Sequence, residues 1–518
     1  MAGQKARPLN GQFNRIPVLH SNQPEEVEGP GILINTAPGS AYSSESGQWL
    51  RNAEYSFNGE FGIHLHHKYF PPYRAQIAAG KRRSELTLGL ILINPGYQPV
   101  QLRFSSGAVR NSFEAPYLAN SMNGVRPLGP RPWNTGPGDA TAVQLLREKL
   151  DSRLSEEITI PARSRIVLFQ TDLPALGIAN ALLKGKSDGP FQMAVVAARQ
   201  PQDDGDILRV LDQGQLAPGR VYLNRISEIN DGAIFSRVGG VALGDEYNAT
   251  LSHNLIQNGP LHVPLTSTRR HNFGTRDIQV NPLASRMLDS ALDNVGTYGV
   301  RFNVDLRLQG DGTHELVLSH PSGTGSKPFT AFRGSIQVQT DEGVRDYHVV
   351  LRSGQSLPLT SLNLKPGVEN RVKVSLVYPA DATPGHLLSV VPPTQLARLR
   401  ESDRQAELAR QAAERAAQTA ASSSRRPKGK PPSAVSPLAP PPLDDEPVEQ
   451  LADAPVQMAP NPTIPPPLEP ALTMPPDVFP QGLGPAVMPP PRVNQSLIER
   501  YQQALEAQQV IMRGLMTR

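Results

Sequence analysis

From residue 1 to about 392, apolar positions come in short runs or strict alternation, each cut by Gly, Pro, Asn or Asp. A period of two marks a strand with one buried face, and clusters of turn formers bound such strands. Thr87–Phe104 shows the grammar. An apolar strand meets the turn Asn94-Pro95-Gly96, after which Val100, Leu102 and Phe104 alternate with polar partners. Glu156–Thr171 repeats it as strand, Pro turn, strand. Further on, Phe302, Val304, Leu306 and Leu308 share one strand face. The turn Gly310-Asp311-Gly312 then leads into HELVLSH, and the pair reads as a hairpin. Gly334–Leu351 reads as a second hairpin with Gly343 in its turn, and LNLKPGVENRVKVSLVYP as a further strand–turn–strand unit. The one long segment of helical period is Ala140–Leu154. The pattern predicts a mainly β chain with two antiparallel β-sandwich-like domains, at 1–225 and 226–392. The division falls in and just beyond the polar stretch QPQDDGDILRVLDQGQLAPGR.

After Val390 the texture changes. Residues 393–422 are rich in Ala, Arg, Gln and Glu, with ion-pair spacings such as Glu407 to Arg410 and Arg410 to Glu414. That predicts a solvated helix whose thin apolar face, Leu396, Leu399 and Leu408, suits a spacer or weak coiled coil better than a core. Residues 427–491 hold 22 of the 52 prolines. Such density cannot enter a packed fold, so 423–492 reads as a disordered, polyproline-like linker. The final segment, 493–518, opens with the capping-box pattern Ser496-Leu-Ile-Glu499. Ile498, Tyr501, Leu505, Met512 and Leu515 then recur at helical steps and predict a docking helix with one apolar face for a protein partner.

Composition narrows the classes. Hydrophobic residues make up 38% and aromatics 5%, below a typical globular average, in agreement with a chain that is only partly packed. With 51 basic and 47 acidic residues the formal charge is +4, which gives no global field for nucleic acid, so no nucleic-acid partner is expected. The clusters Lys81–Arg83, Thr268–His271 and Arg425–Lys430 read as exposed loop charge. Cysteine is absent, which excludes disulfides, thiolate catalysis and Cys-ligated metals. Apolar runs such as Leu86–Ile93 are far shorter than the ~20 residues of a membrane helix, so no transmembrane segment is expected. Met1–Pro17 lacks the apolar core of an export signal.

The densest candidate chemistry is FGIHLHHKYF, Phe61–Phe70. On a strand, His64 and His66 share one face about 7 Å apart and His67 takes the other. A His-x-His pair can chelate a divalent transition metal if a third ligand arrives from elsewhere, with His253, His262 and His271 as candidates. The structural alternative has Tyr55, Phe57, Phe61 and Ile63 carry the packing. The histidines then fill a half-exposed face or bond to the backbone, and no cofactor is held. Asp203, Asp204 and Asp206 in QDDGD, and the pair Glu156–Glu157, read as loop formers. Ser322–Phe329 lacks the ending of a phosphate loop, and neither G-x-S-x-G nor H-E-x-x-H occurs.

Seven blocks taken together resemble one family. They are Pro17–Ile34, Phe57–Phe70, Leu86–Leu102, Phe235–Leu251, Gly274–Leu308, Phe332–Val338 and Val377–Gly385. In this order they look like the cyanobacterial family known as domain of unknown function 3370, over residues of about 8 to 391. The resemblance implies no assigned activity. It implies a cell-envelope, periplasmic or surface location, while the signal-free N-terminus keeps a cytoplasmic one open. It also implies that the adjacent pair His66–His67 is the family feature, with an aromatic residue at the position of His64. The reading that fits best is a non-enzymatic envelope protein that docks on a partner through its C-terminal helix. The alternatives are a protein that binds or acts on envelope polysaccharide, with Trp133 and Tyr117 as candidate aromatics, and a metalloprotein centred on His64, His66 and His67.

Overall fold

A computed structural model of the chain describes residues 4–423 apart from 75–76, 78–83, 118–122, 131–133, 270–271, 322–328 and 381. The first strands are β1 (Gln12–Phe13), β2 (Pro17–Ser21), β3 (Glu26–Val27), β4 (Gly31–Asn35), β5 (Ser40–Ser43), β6 (Gln48–Arg51) and β7 (Glu60–Tyr69). They are followed by β8 (Ser84–Asn94), β9 (Val100–Asn111), β10 (Gly124–Pro127), β11 (Glu157–Ile160), β12 (Ser164–Pro174), β13 (Ile178–Ser187) and β14 (Gln192–Arg199). Next come β15 (Gly239–Leu243), β16 (Glu246–Asn254), β17 (Leu261–Leu265), β18 (Asn281–Arg286), β19 (Asp293–Asn294) and β20 (Arg301–Gln309). The last are β21 (Gly312–Ser319), β22 (Thr330–Thr340), β23 (Gly343–Arg352), β24 (Ser356–Leu364), β25 (Asn370–Val377) and β26 (His386–Val391). The helices are α1 (Pro137–Leu146), α2 (Asp204–Asp212), α3 (Ile226–Asn230), α4 (Leu255–Asn258) and α5 (Pro393–Ser423).

A nine-stranded sheet, β11-β9-β13-β7-β2-β15-β18-β19 with β3 beside β7, faces a four-stranded sheet, β12-β8-β14-β4. Their inward positions, among them Leu19, Phe61, Ile63, Leu88, Leu90 and Val195, form the first core. A seven-stranded sheet, β1-β16-β20-β25-β22-β23-β10, and the four-stranded β17-β26-β21-β24 enclose a second core built on Phe302, Val304, Leu306, Val349 and Leu388. Each such side chain contributes about 1.5–3 kcal/mol on leaving water. Pairing crosses residue 225 in both directions. β1 and β10 join the seven-stranded sheet, and β15, β18 and β19 extend the nine-stranded one. Among the described strands three pairings are parallel rather than antiparallel: β2 with β7, β3 with β7, and β16 with β20. The routes from β2 to β7 and from β16 to β20 pass through the facing sheet, at β4 and β17, and so return in the same direction.

The expected hairpin at Arg301–Ser319 is corrected. β20 pairs with β16 and β25, while β21 pairs with β24 and β26 in the facing sheet. The turn carries the chain over the core, and alternation looks identical whether two strands pair or face each other. The units Thr87–Phe104, Glu156–Thr171 and Leu362–Pro379 are sheet-to-sheet arches of the same kind, since β8 and β9, β11 and β12, and β24 and β25 each lie in different sheets. The second predicted hairpin does pair, β22 with β23, closing at Thr340 opposite Gly343.

The helices fill seams. α1 stops at Leu146, short of Leu154, because Glu148 turns left-handed at φ 55° and Lys149 and Asp151 bond to Gly107. Pro137 at its start and the buried Asp139, Thr141, Ala142 and Leu146 make it a wedge against β9 and β13 on one side and β22 and β25 on the other. Asp203 and Asp206, expected in a loop, instead begin α2: the Asp203 carboxylate accepts from the Asp206 N–H at 3.0 Å. Its Ile207 lies so close over β8 that a Cβ on Gly89 would sit 2.5 Å from it. The start of α5 is no free spacer, because Leu396 is buried with Val317 and Val391. Farther along the helix Leu408 is exposed.

Candidate functional site

The histidine segment forms β7 in the middle of the nine-stranded sheet, bonded to β13 on one side and to β2 and β3 on the other. A strand so placed has neighbours on both edges and layers on both faces. Phe61, Ile63 and Leu65 point into the first core. By alternation His67 shares their face and His64 and His66 take the opposite one. All three are buried, which replaces the expected half-exposed face.

Each ring has its own partner. His64 Nδ1 lies 3.0 Å from Nδ1 of His20, which stands opposite it in the parallel register of β2. One ring donates its N–H to the other's lone pair, and the rings meet edge to face at 5.1 Å. Gly299 closes over them at φ 74°, where a Cβ would fall 3.1 Å from the His64 ring and 3.2 Å from Leu182. His66 Nδ1 lies 2.9 Å from the Asn180 amide, which satisfies both neighbours when its Nδ2 donates to His66 and its Oδ1 accepts from Thr141 of α1. His67 donates from Nδ1 to the Pro24 carbonyl at 2.7 Å and accepts at Nε2 from Ser21 Oγ at 2.8 Å.

Burial holds the His20, His64 and His67 rings neutral. It pushes His20 and His67 down to about 3, and His64 well below the ordinary histidine value, with its histidine neighbours adding to the effect. Three ion pairs, two of them sharing Glu25, flank the layer. Glu25 holds Lys68 at 2.9 Å and also Arg237. Burial alone would raise the Glu25 carboxyl, but Arg237 and Lys68 outweigh it and hold it below the usual carboxylate range. Arg220, fully buried, donates from Nη1 to both Asp289 oxygens at 3.0 and 3.1 Å, and Gln23 donates to the same carboxylate at 2.9 Å. On the far side of α1, Asp139 accepts from His348 Nδ1 at 2.8 Å and from Ser335 Oγ at 3.0 Å.

The structure therefore separates the three sequence candidates. His64 and His66 share a face but bond to different partners, and His67 faces away from both. Of the suggested third ligands, His253 bonds Arg7 and the Gly259 carbonyl, His262 bonds Ser389 in the second sandwich, and His271 lies outside the described residues. Among the described residues no three His, Cys, Asp or Glu side chains are grouped to hold a metal ion. Glu157 pairs with Arg103, and Asp204 accepts from Gln170. Tyr117 lies under the Arg333 guanidinium at 4.3 Å. Trp133 lies outside the described residues, as do Ile498, Tyr501, Leu505, Met512 and Leu515 and the linker from 424 to 492. Sequence reasoning missed His20, Asn180, Thr141 and the Arg220–Asp289 pair. Non-adjacent strands and a wedged helix assemble them, so no local spacing could announce them. It also missed Trp49, which is 66% exposed and packs at 5.6 Å against Tyr42, its cross-strand partner on the β5–β6 hairpin.

Fold and site define a mainly β protein of multiple sheets whose histidine-rich strand is an interior structural element. The chain belongs to the family described as protein of unknown function (DUF3370), which matches residues 4–392 and so bears out the resemblance read from the seven blocks. No curated protein matches it. Among the described residues no helix is long and apolar enough to cross a membrane.

Proposed function

We propose that this chain is a non-enzymatic interaction protein of the cell envelope, whose β scaffold presents an amphipathic C-terminal helix to a protein partner. The observation that carries the reading is the fate of the histidines. The densest group of chemically capable side chains is buried and bonded to His20, Asn180, Ser21 and Pro24, so its work is to hold β7 in place. The docked start of α5 supports the second half. The helix is anchored at Leu396 and spans 31 residues, and the sequence beyond it carries Ile498, Tyr501, Leu505, Met512 and Leu515. Pull-downs with the full chain and with a version ending at residue 492 test it. The full chain retains a partner that the shortened one loses, and identical partner sets would remove the helix from the account. Fractionating cells that carry a C-terminally tagged copy tests the location. The reading needs no cofactor, and one equivalent of a transition metal after chelator-free purification would overturn that part.

A polysaccharide-binding reading is favoured by one observation, the exposed Trp49 beside Tyr42. An open aromatic ring can stack on the apolar face of a sugar. Glycan-array binding that disappears in Trp49→Ala would carry that reading, and an array with no signal for either protein would end it.

A further inference from the structure

The two sheets of the first sandwich part at one edge. There, β9 and β13 face β12, the end strand of the four-stranded sheet, and Asp151–Ser155 bounds the gap. The gap is a cavity of about 300 Å³. Six of its twelve lining residues are apolar, Phe104, Val109 and Leu183 from one sheet, Leu168 and Phe169 from the other, and Leu154 at the side; the rest are the charged Glu114, Asp151 and Arg153 and the polar Ser155, Gln170 and Thr171. The β12 register slips between Val167 and Phe169, which leaves Leu168 out of the pairing with β8 and among the cavity's lining residues. Bulges commonly re-aim a side chain at a site in this way.

The rim decides what can enter. Arg110 pairs with Asp151, and Arg153 pairs with Glu114 at 2.6 Å and with Asp151 at 3.4 Å. Arg153 also donates to the Val109 carbonyl at 2.9 Å. Two guanidinium groups and two carboxylates cancel, so the mouth neither attracts a charged head group nor offers it a vacant counter-ion. Thr171 accepts from Asn111 Nδ2 at 3.1 Å, and its own hydroxyl proton can be donated to a polar atom of an occupant. For scale, an apolar cavity of about 150 Å³ holds benzene.

We propose that this cavity binds an uncharged, largely apolar small molecule of roughly ten to seventeen non-hydrogen atoms with at most one hydrogen-bond acceptor. The inference goes beyond the partner-docking function. The lining residues belong to the first sandwich and α5 packs on β21, so ligand binding and partner capture succeed or fail separately.

Two fluorescent probes test it on the full chain. N-phenyl-1-naphthylamine is uncharged, and 1-anilinonaphthalene-8-sulfonate has the same rings with a sulfonate. The expected result is saturable binding of one uncharged probe per chain, at least about tenfold tighter than the sulfonate. Leu168→Trp and the exposed rim change Ser155→Trp are each expected to weaken that binding by about tenfold or more with the unfolding temperature unchanged. If Leu168→Trp does not fold, Ser155→Trp alone decides. Non-saturable binding, equal or tighter binding of the sulfonate, or an affinity unchanged in every folded variant overturns the proposal.

Discussion

His20 and His64 stand opposite each other in parallel strands 44 residues apart, Nδ1 to Nδ1 at 3.0 Å, with neither ring open to solvent. Such a contact needs one Nδ1 free of a proton, and burial disfavours the charged form of both rings, which gives the fold a pH dependence of known sign. Unfolded histidines take up protons near pH 6.5, whereas folded His20 and His67 do so only at about 3, and folded His64 also far below its ordinary value. Between these limits the unfolded chain binds more protons, so stability falls as the pH falls and is level above about 7. Each histidine contributes a slope of about 1.4 kcal/mol per pH unit. Urea midpoints measured from pH 7.5 down to 4.5 should drop steeply, and the pair His20→Leu with His64→Leu should flatten the slope. A midpoint constant from pH 7 to 5 would contradict the assignment.

Gly299 is the lid of that pair. Its φ of 74° disfavours side chains, and a Cβ there would press on His64 and Leu182. Gly299→Ala should lower stability by about 1–3 kcal/mol. The same change at Gly47, also at positive φ but with open space around it, serves as the control that carries the backbone term alone. Equal losses in thermal unfolding at the two positions would show that the contact with His64 is unimportant.

What was legible beforehand follows from how local each feature is. The β22–β23 hairpin was readable because its pairing is set by a short turn at Gly343. The β20–β21 arch was misread because Phe302 to Leu308 alternate the same way for a facing partner as for a bonded one. Asp203 looked like a loop former since short polar side chains favour turns and helix caps for the same reason, a side-chain oxygen that accepts from nearby backbone N–H groups. The alternation of β7 correctly divided its histidines between two faces. Their burial depended on β2, β13 and α1, and no spacing within Phe61–Phe70 encodes those neighbours.

The Arg220–Asp289 pair joins the two halves of the sequence in the interior, with Arg220 also bonded to the Leu33 carbonyl. Removing one partner strands a buried charge. Arg220→Met should therefore cost about 3–5 kcal/mol, while the double change Arg220→Met with Asp289→Leu should recover part of the loss. Denaturant titration of the two variants gives the comparison. A double variant no more stable than the single one would show that the pair contributes packing rather than charge compensation.

Two arches use the same device, which makes a discriminating test. Asn94, buried at the end of β8, holds Nδ2 within 2.8–3.1 Å of the carbonyls of Gln98, Ile160 and Pro161, while its Oδ1 accepts from the Gly96 N–H at 2.9 Å. Asn370 does likewise at the β24–β25 arch. Its Nδ2 reaches the carbonyls of Leu308, Lys365 and Val368, and its Oδ1 accepts from the Lys365 N–H. In both places one amide supplies donors to carbonyls that come from separate pieces of chain. Asn94→Ala leaves those carbonyls without their donor and should cost about 1–3 kcal/mol. Asn94→Asp keeps the shape and the acceptor but replaces the donor with a carboxylate oxygen aimed at carbonyl oxygens, so it should cost at least as much as the alanine change. The same order is expected at Asn370. Thermal unfolding of the four variants decides it: an aspartate more stable than the alanine at either site would mean that the acceptor side, and not the donated bonds, holds that arch.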